Sequence, residues 1–230
     1  MYPTTSRSGS ILNSRSGVEV EPKPGLRCAI LDYMSYMKVI TGPMFSGKTE
    51  ELIRVLNRAE IAGRKILVFK PKIDHRTANE IASRAKPAVE EDVFKKKFAF
   101  PAFPVGSASE ALSLIHMHEP NVLGIDEAQF FDEWMIGFLE EFLRKNSSQD
   151  IMIVVAGLDM DAWGRPFGIM PKLMTLADNV QKETAICFVC KKPAMYTQKL
   201  VASDSQVEVG DNDIYEARCR NCHTMPIAKK

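Results

Sequence analysis

The run Gly42-Pro-Met-Phe-Ser-Gly-Lys-Thr49 constrains this chain more than any other stretch. It has the form G-x-x-x-x-G-K-T. With Gly at about 7% of residues, a chance match in a chain of this length is on the order of one in a hundred. Its flanks have the pattern such a loop needs. Lys38–Thr41 is a short β-branched run that reads as a strand. Lys48–Ala62 reads as a helix, with Leu52, Ile53, Val55, Leu56 and Ala59 at helical spacing and Gly63 as a C′ stop. A loop between strand and helix aims its backbone N–H groups, and the helix N-terminus, at phosphate oxygens. Lys48 would reach the terminal phosphates as a point charge, and the Thr49 hydroxyl would ligate Mg²⁺. The plain alternative is a glycine-containing turn that leads into a helix with an exposed lysine.

Strand and helix patterns then alternate. Lys65–Lys70, Asn121–Ile125 and Ile151–Ala156 read as strands. Ser109–His118 and Glu133–Lys145 read as helices, the second with Trp134, Phe138, Leu139 and Phe142 on one side. Ile81–Lys97 has no decisive pattern, and Lys95–Lys97 reads as a solvated face. The alternation predicts an α/β fold: a P-loop NTPase-like parallel sheet flanked by helices. Within it, Val122-Leu-Gly-Ile is a buried strand with Asp126 and Glu127 at its C-terminal end. Ligands of open parallel sheets bind beyond the strand carboxyl ends. Asp126 can then serve Mg²⁺, and Glu127 can accept a proton from a hydroxyl or a water. These features do not separate a kinase from an ATPase or a GTPase.

The C-terminus carries a different signal. Four of the five cysteines lie in the last 44 residues. Cys187-x-x-Cys190 and Cys219-x-x-Cys222 are separated by 28 residues, longer than the usual zinc-ribbon spacing. Four thiolates can close a tetrahedral zinc shell. Disulfides compete with that reading, but there is no secretory signal and a phosphate loop fits the cytosol. His223 adjoins the last pair and is left out because four cysteines fill the shell. Cys28 falls outside the set. The segment Lys191–Arg218 reads as a polar loop pinned at both ends, suited to a lid over a small substrate.

Charge narrows the function classes. Lys and Arg total 30 against 29 Asp and Glu, a net +1. From Lys191 onward there are seven Lys or Arg and five Asp or Glu, too small an excess for a phosphate-tracking surface. No apolar run approaches the ~18 residues of a membrane span. Residues 1–24 are Ser- and Arg-rich, with no acid before Glu19, and weakly resemble a transit peptide. Met34 and Met37 stand just before the first strand, so a start there is a further reading. The chain divides into a disordered or non-native tail at 1–36, a P-loop α/β domain at 37–184, and a zinc-ribbon domain with a lasso-like lid loop at 185–230.

Taken in order, GPMFSGKT, Asp74-x-Arg76, IDEAQFF, LDMDxxxxPFG and the two cysteine pairs around Tyr-Thr and Val-Glu-Val resemble the zinc-containing thymidine kinases of cells and bacteria. The resemblance runs from about Met37 to the C-terminus. It implies ATP-dependent phosphorylation of the thymidine 5′-hydroxyl, and of deoxyuridine, in nucleotide salvage. Gly42, Pro43, Met44, Phe45, Ser46, Gly47, Lys48 and Thr49 would bind ATP, together with Asp126, Glu127, Ala128 and Gln129. Thr49 and Asp126 would hold Mg²⁺. Glu127 would be the general base, and Arg76 and Lys48 would stabilise the transferring phosphoryl group, with Asp74 near Arg76. Met44, Phe130, Leu158, Thr197, Val207 and Tyr215 would line the nucleoside pocket. Cys187, Cys190, Cys219 and Cys222 would hold zinc. The resemblance also implies a cytoplasmic homotetramer inhibited by dTTP, with no nucleic-acid or membrane partner. A P-loop ATPase with a nucleic-acid-binding zinc ribbon is the alternative. Two positions depart from the family pattern. Ala162 stands where an aromatic residue is usual, with Trp163 following it, and Asp211 stands where a second Gly is common.

Overall fold

The computed structural model describes residues 35–74, 79–82, 99–201 and 214–226, and all of them fall in one compact unit, Asp32–Lys230. Cys28, Arg76, Lys95–Lys97, Val207, Asp211 and the proposed tail up to residue 34 lie outside the described residues. Tyr36, expected at the end of that tail, instead opens the first strand.

Six strands form the main sheet: β1 (Tyr36–Thr41), β2 (Ile66–Pro71), β5 (Phe103–Val105), β6 (Val122–Ile125), β7 (Met152–Gly157) and β8 (Asn179–Lys182). Their order is β5-β2-β6-β7-β1-β8, and every pairing is parallel. Between β2 and β5 in sequence, β3 (Glu80–Ala82) and β4 (Ala99–Pro101) pair antiparallel, with Ile81 and Phe100 buried.

The strand alternation sends successive side chains to opposite faces. Ile40, Val68, Val154 and Ala156 point to the face covered by α1 (Lys48–Ile61), where they pack against Leu52, Ile53 and Leu56. Val39, Leu67, Phe69, Leu123, Ile125, Ile153 and Val155 point to the other face. There they meet residues of α2 (Ala108–His118), α3 (Trp134–Lys145) and α4 (Met170–Leu176), among them Met135, Leu139 and Leu173. The helix ends are locally determined. Ser107 Oγ accepts from Glu110 N at 3.3 Å, while the Glu110 carboxylate accepts from Gly106 N at 2.8 Å. Glu50 and Glu51 open α1 and Arg58 lies in its last turn, as the helix dipole favours.

Three elements have no clear periodic signal. β5 contains Pro104, which an edge strand tolerates. α4 is seven residues long, with Pro171 in its first turn. β8 is a polar edge strand exposed along most of its length.

The C-terminal module is two small antiparallel ladders: β9 (Ala185–Ile186) with β10 (Pro193–Ala194), and β11 (Tyr196–Lys199) with β12 (Tyr215–Arg218). The segment expected as a loop from Lys191 to Arg218 is therefore strand at both ends. Its polar residues are buried with partners: Thr197, Gln198 and Lys199 are each about 95% buried. Gln198 Oε1, for example, accepts from Thr224 N at 2.8 Å.

Candidate active site

The parallel sheet delivers its chemistry-bearing residues to one edge. Thr41, Ile125 and Gly157 end three strands in a row, so residues 42–49, 126–127 and 158–159 emerge together. Gly42 has φ 142°, and a Cβ there would lie 2.4 Å from the Glu183 carbonyl oxygen. A side chain at that point would push the loop off the end of β8.

Inside the loop, the Lys48 ammonium donates to the Pro43 carbonyl at 2.7 Å. Burial lowers the Lys48 pKa, against the raising influence of Glu127, Asp126, Asp159 and Glu50. A buried cation held below its ordinary range is relieved when an anion arrives. Ser46 Oγ is buried with no hydrogen-bond partner among the described residues. Phe45, at φ 64°, turns outward. Thr49 Oγ1 donates to the Asp126 carboxylate at 3.2 Å. The hydroxyl and the carboxylate expected to share Mg²⁺ are thus adjacent, and both are oxygen donors of the kind that ion takes.

Glu127 follows Asp126 in a left-handed conformation, φ 51° and ψ 42°, and opens a single 3-10 turn at Ala128–Phe130. Its N–H bonds to the Asp126 carboxylate at 3.0 Å. Gln129 is buried beneath it. The Phe130 ring stands edge-on to Phe167, centroids 5.7 Å apart. Phe167 escaped the sequence reading as a site residue, although the PFG motif that contains it had been singled out. Lys70 reads in the sequence as an ordinary strand residue. It is fully buried and lies 3.7 Å from the Asp74 carboxylate. Asp159, two residues past the end of β7, pairs with Lys182 at 2.5 Å.

The nucleoside-pocket candidates come from both parts of the molecule. Met44 N donates to Thr197 Oγ1 at 3.0 Å, which ties the phosphate loop to β11. Leu158 N is bonded to the Gln129 side chain. Tyr215 is buried on β12, paired in register with Lys199. The departure at 162–163 is resolved by position. Ala162 is buried, and the Trp163 ring lies under the Lys199 ammonium at 5.7 Å from its centroid. Asp161 Oδ1 accepts from the N–H groups of both Trp163 and Arg165 at 2.9 Å and fixes this turn.

The four cysteines meet. Their sulfurs lie within 4.8 Å of one another, and Cys190 and Cys219 are 3.5 Å apart. Zn–S bonds of about 2.3 Å place tetrahedral sulfurs about 3.8 Å apart, so the cluster can hold a zinc ion. The thiols polarise one another. Burial raises Cys187, yet N–H groups of Cys190, Cys219 and Val189 bring it down to about 6. Hydrogen bonds to Cys219 and Cys190 push Cys222 up to about 12. Such a split among crowded sulfurs is what a divalent cation would replace with four thiolates. His223 is turned away from the cluster: its Nε2 meets the Ala162 carbonyl at 2.9 Å, and its ring stacks on Tyr196 at 4.8 Å.

A phosphate loop, a strand-end acid pair and a four-cysteine ribbon joined by direct bonds call for a comparison with known proteins. The thymidine kinase family model matches residues 35–223. The chain belongs to the thymidine kinase family. Thymidine kinases of Mesomycoplasma hyopneumoniae strains 7448, J and 232 are each 40% identical to it over 190 residues. The matched region covers 82% of this chain and 95% of each relative. The kinase is accordingly a phosphotransferase acting on thymidine. No helix among its described residues is long and apolar enough to cross a membrane.

Proposed function

We propose that this kinase transfers the γ-phosphoryl group of ATP to the 5′-hydroxyl of thymidine, and of deoxyuridine, with Glu127 as general base. The observation that carries the reading is the direct joining of the two subsites. The Met44–Thr197 bond joins the cradle to the ribbon, and Glu127 lies at the same sheet edge, close enough to oppose the lowering of the Lys48 pKa by burial; both support one substrate shared by cradle and ribbon.

The residues divide the work. Residues 42–49 cradle the phosphates, and Lys48 leaves the Pro43 carbonyl to take a terminal phosphate oxygen. Thr49 and Asp126 would hold Mg²⁺, which would supply charge neutralisation on the phosphates. Met44, Phe130, Leu158, Thr197 and Tyr215, with Val207, close around the nucleoside, and Phe167 backs Phe130. Glu127 accepts the 5′-hydroxyl proton as that oxygen bonds to the γ-phosphorus. The bond from phosphorus to the bridging oxygen breaks, and ADP leaves with the electron pair. Arg76 and Lys48 stabilise the charge spread over the transferring group. Positioning and charge compensation supply most of the catalysis in such a transfer.

Zinc held by the four cysteines would anchor both ends of the segment 191–218 and would take no chemical step. The end product dTTP carries both the thymine and a triphosphate, so it would fit both subsites and act as a feedback inhibitor. Homotetramer assembly is part of the same proposal and rests on family resemblance. A panel of nucleosides with ATP and Mg²⁺, read by phosphorylated product, tests the reading. Thymidine and deoxyuridine are the expected acceptors. ATP consumption indifferent to thymidine but stimulated by DNA would overturn it in favour of a nucleic-acid-dependent ATPase.

A further inference from the structure

Gln129 stands where three site loops converge. Its side-chain N–H donates to Glu127 Oε2 at 2.5 Å, and its side-chain carbonyl accepts from Leu158 N at 2.9 Å. The amide orientation is chemically forced. A carboxylate only accepts and a backbone N–H only donates, so a flipped amide would lose both bonds. The residue is 3% exposed.

The neighbouring loops are shaped around it. At Gly157 an added Cβ would lie 2.9 Å from Gln129 Oε1 and 2.6 Å from Met170 Sδ. At Gly168, where φ is +51°, it would lie 2.1 Å from the Gln129 carbonyl oxygen. Both glycines thus leave room for Gln129, one for its side chain and one for its backbone. Glu127 itself sits in the left-handed region, a conformation that a non-glycine residue keeps only when its surroundings hold it.

We infer that Gln129 is a positioning residue. It aims the Glu127 carboxylate and ties it to the Leu158 loop, so that the base and one wall of the nucleoside pocket are set as a unit. This rests on the proposed role of Glu127. It also moves Gln129 from the phosphate-donor contacts implied by family resemblance to the acceptor side.

The test is a double-mutant cycle in steady-state kinetics on the full chain, with melting midpoints recorded alongside. Gln129→Glu keeps an acceptor for Leu158 N but sets carboxylate against carboxylate. It should lower kcat roughly 10- to 100-fold, the scale of a misplaced catalytic group, with the ATP KM unchanged. Gln129→Met, which removes both bonds, should lower kcat and also raise the thymidine KM. In a Glu127→Gln background neither change should lower kcat further. Additive losses, a normal kcat in a folded variant, or an effect confined to the ATP KM would overturn the inference. A Gln129→Met chain that does not fold would make Gln129 a packing residue and overturn it equally. The parent reading fails separately, if Glu127→Gln alone leaves kcat intact.

Discussion

The sheet and the ribbon are built on different physics. The central strands of the sheet are buried on both faces by helices, with large side chains such as Phe69 and Leu123, and Met135 and Leu139 of α3, shielded from water. The ribbon's interior is Ala185, Cys187, Ala194 and Ala217, with Cys219 and Cys222 against it. Ile186, Phe188 and Val189 remain exposed around it. Apolar burial accounts for the first region, at roughly 25 cal/mol per Å² removed from water. The second buries too little for that, and a metal ion at its four sulfurs would supply the missing stabilisation. The difference teaches how the site is divided. The self-supporting sheet carries the groups proposed to act on phosphate. The cysteine ribbon brings Thr197 and Tyr215 to them through Met44–Thr197 and His223–Ala162.

That division can be broken from the sheet side first. Glu127→Gln should cut kcat by roughly 10²–10⁴, the usual general-base contribution, and leave ATP binding largely intact. Near-normal turnover would remove the chemistry from the sheet edge. Leu139→Ala, in the helix-covered core, should lower global stability by about 2–5 kcal/mol in denaturant titration. A loss under about 1 kcal/mol would mean the sheet does not rest on its apolar burial. Cys187→Ser should loosen the ribbon alone and raise the thymidine KM by about tenfold, worth about 1.4 kcal/mol. The far-UV signature of the helices should persist. Loss of the whole fold would erase the distinction between the two regions. The smallest effect belongs to the surface. Asp150→Ala removes the Arg64–Asp150 pair, whose carboxylate is 59% exposed, and should cost under about 1 kcal/mol in the same titration. A larger loss would show that surface charge, too, supports the sheet.

The two regions were unequally legible. β1, β6 and β7 were readable as short apolar runs buried on both faces, and α1 and α3 because their buried residues recur at helical spacing. The phosphate loop and the acid pair were readable because their chemistry is contiguous in the chain. The polar edge strand β8 and short α4 gave no such pattern, since half-buried or brief elements owe their form to neighbours. Thr197, Gln198 and Lys199 read as loop because burial of polar residues depends on partners far away in sequence, such as Met44 and Thr224. Gln129 and Phe167 sat inside motifs that were noticed, yet their roles depend on Leu158 and Phe130, which only folding brings to them.

The central claim is that the sheet performs the transfer while the ribbon captures the nucleoside. The most direct test compares both Michaelis constants before and after stripping zinc with a chelator, each measured at saturating co-substrate. The account predicts a thymidine KM raised about tenfold or more, an ATP KM little changed, and restoration on adding zinc. An unchanged thymidine KM in metal-free protein, or a rise of equal size for ATP, would contradict it.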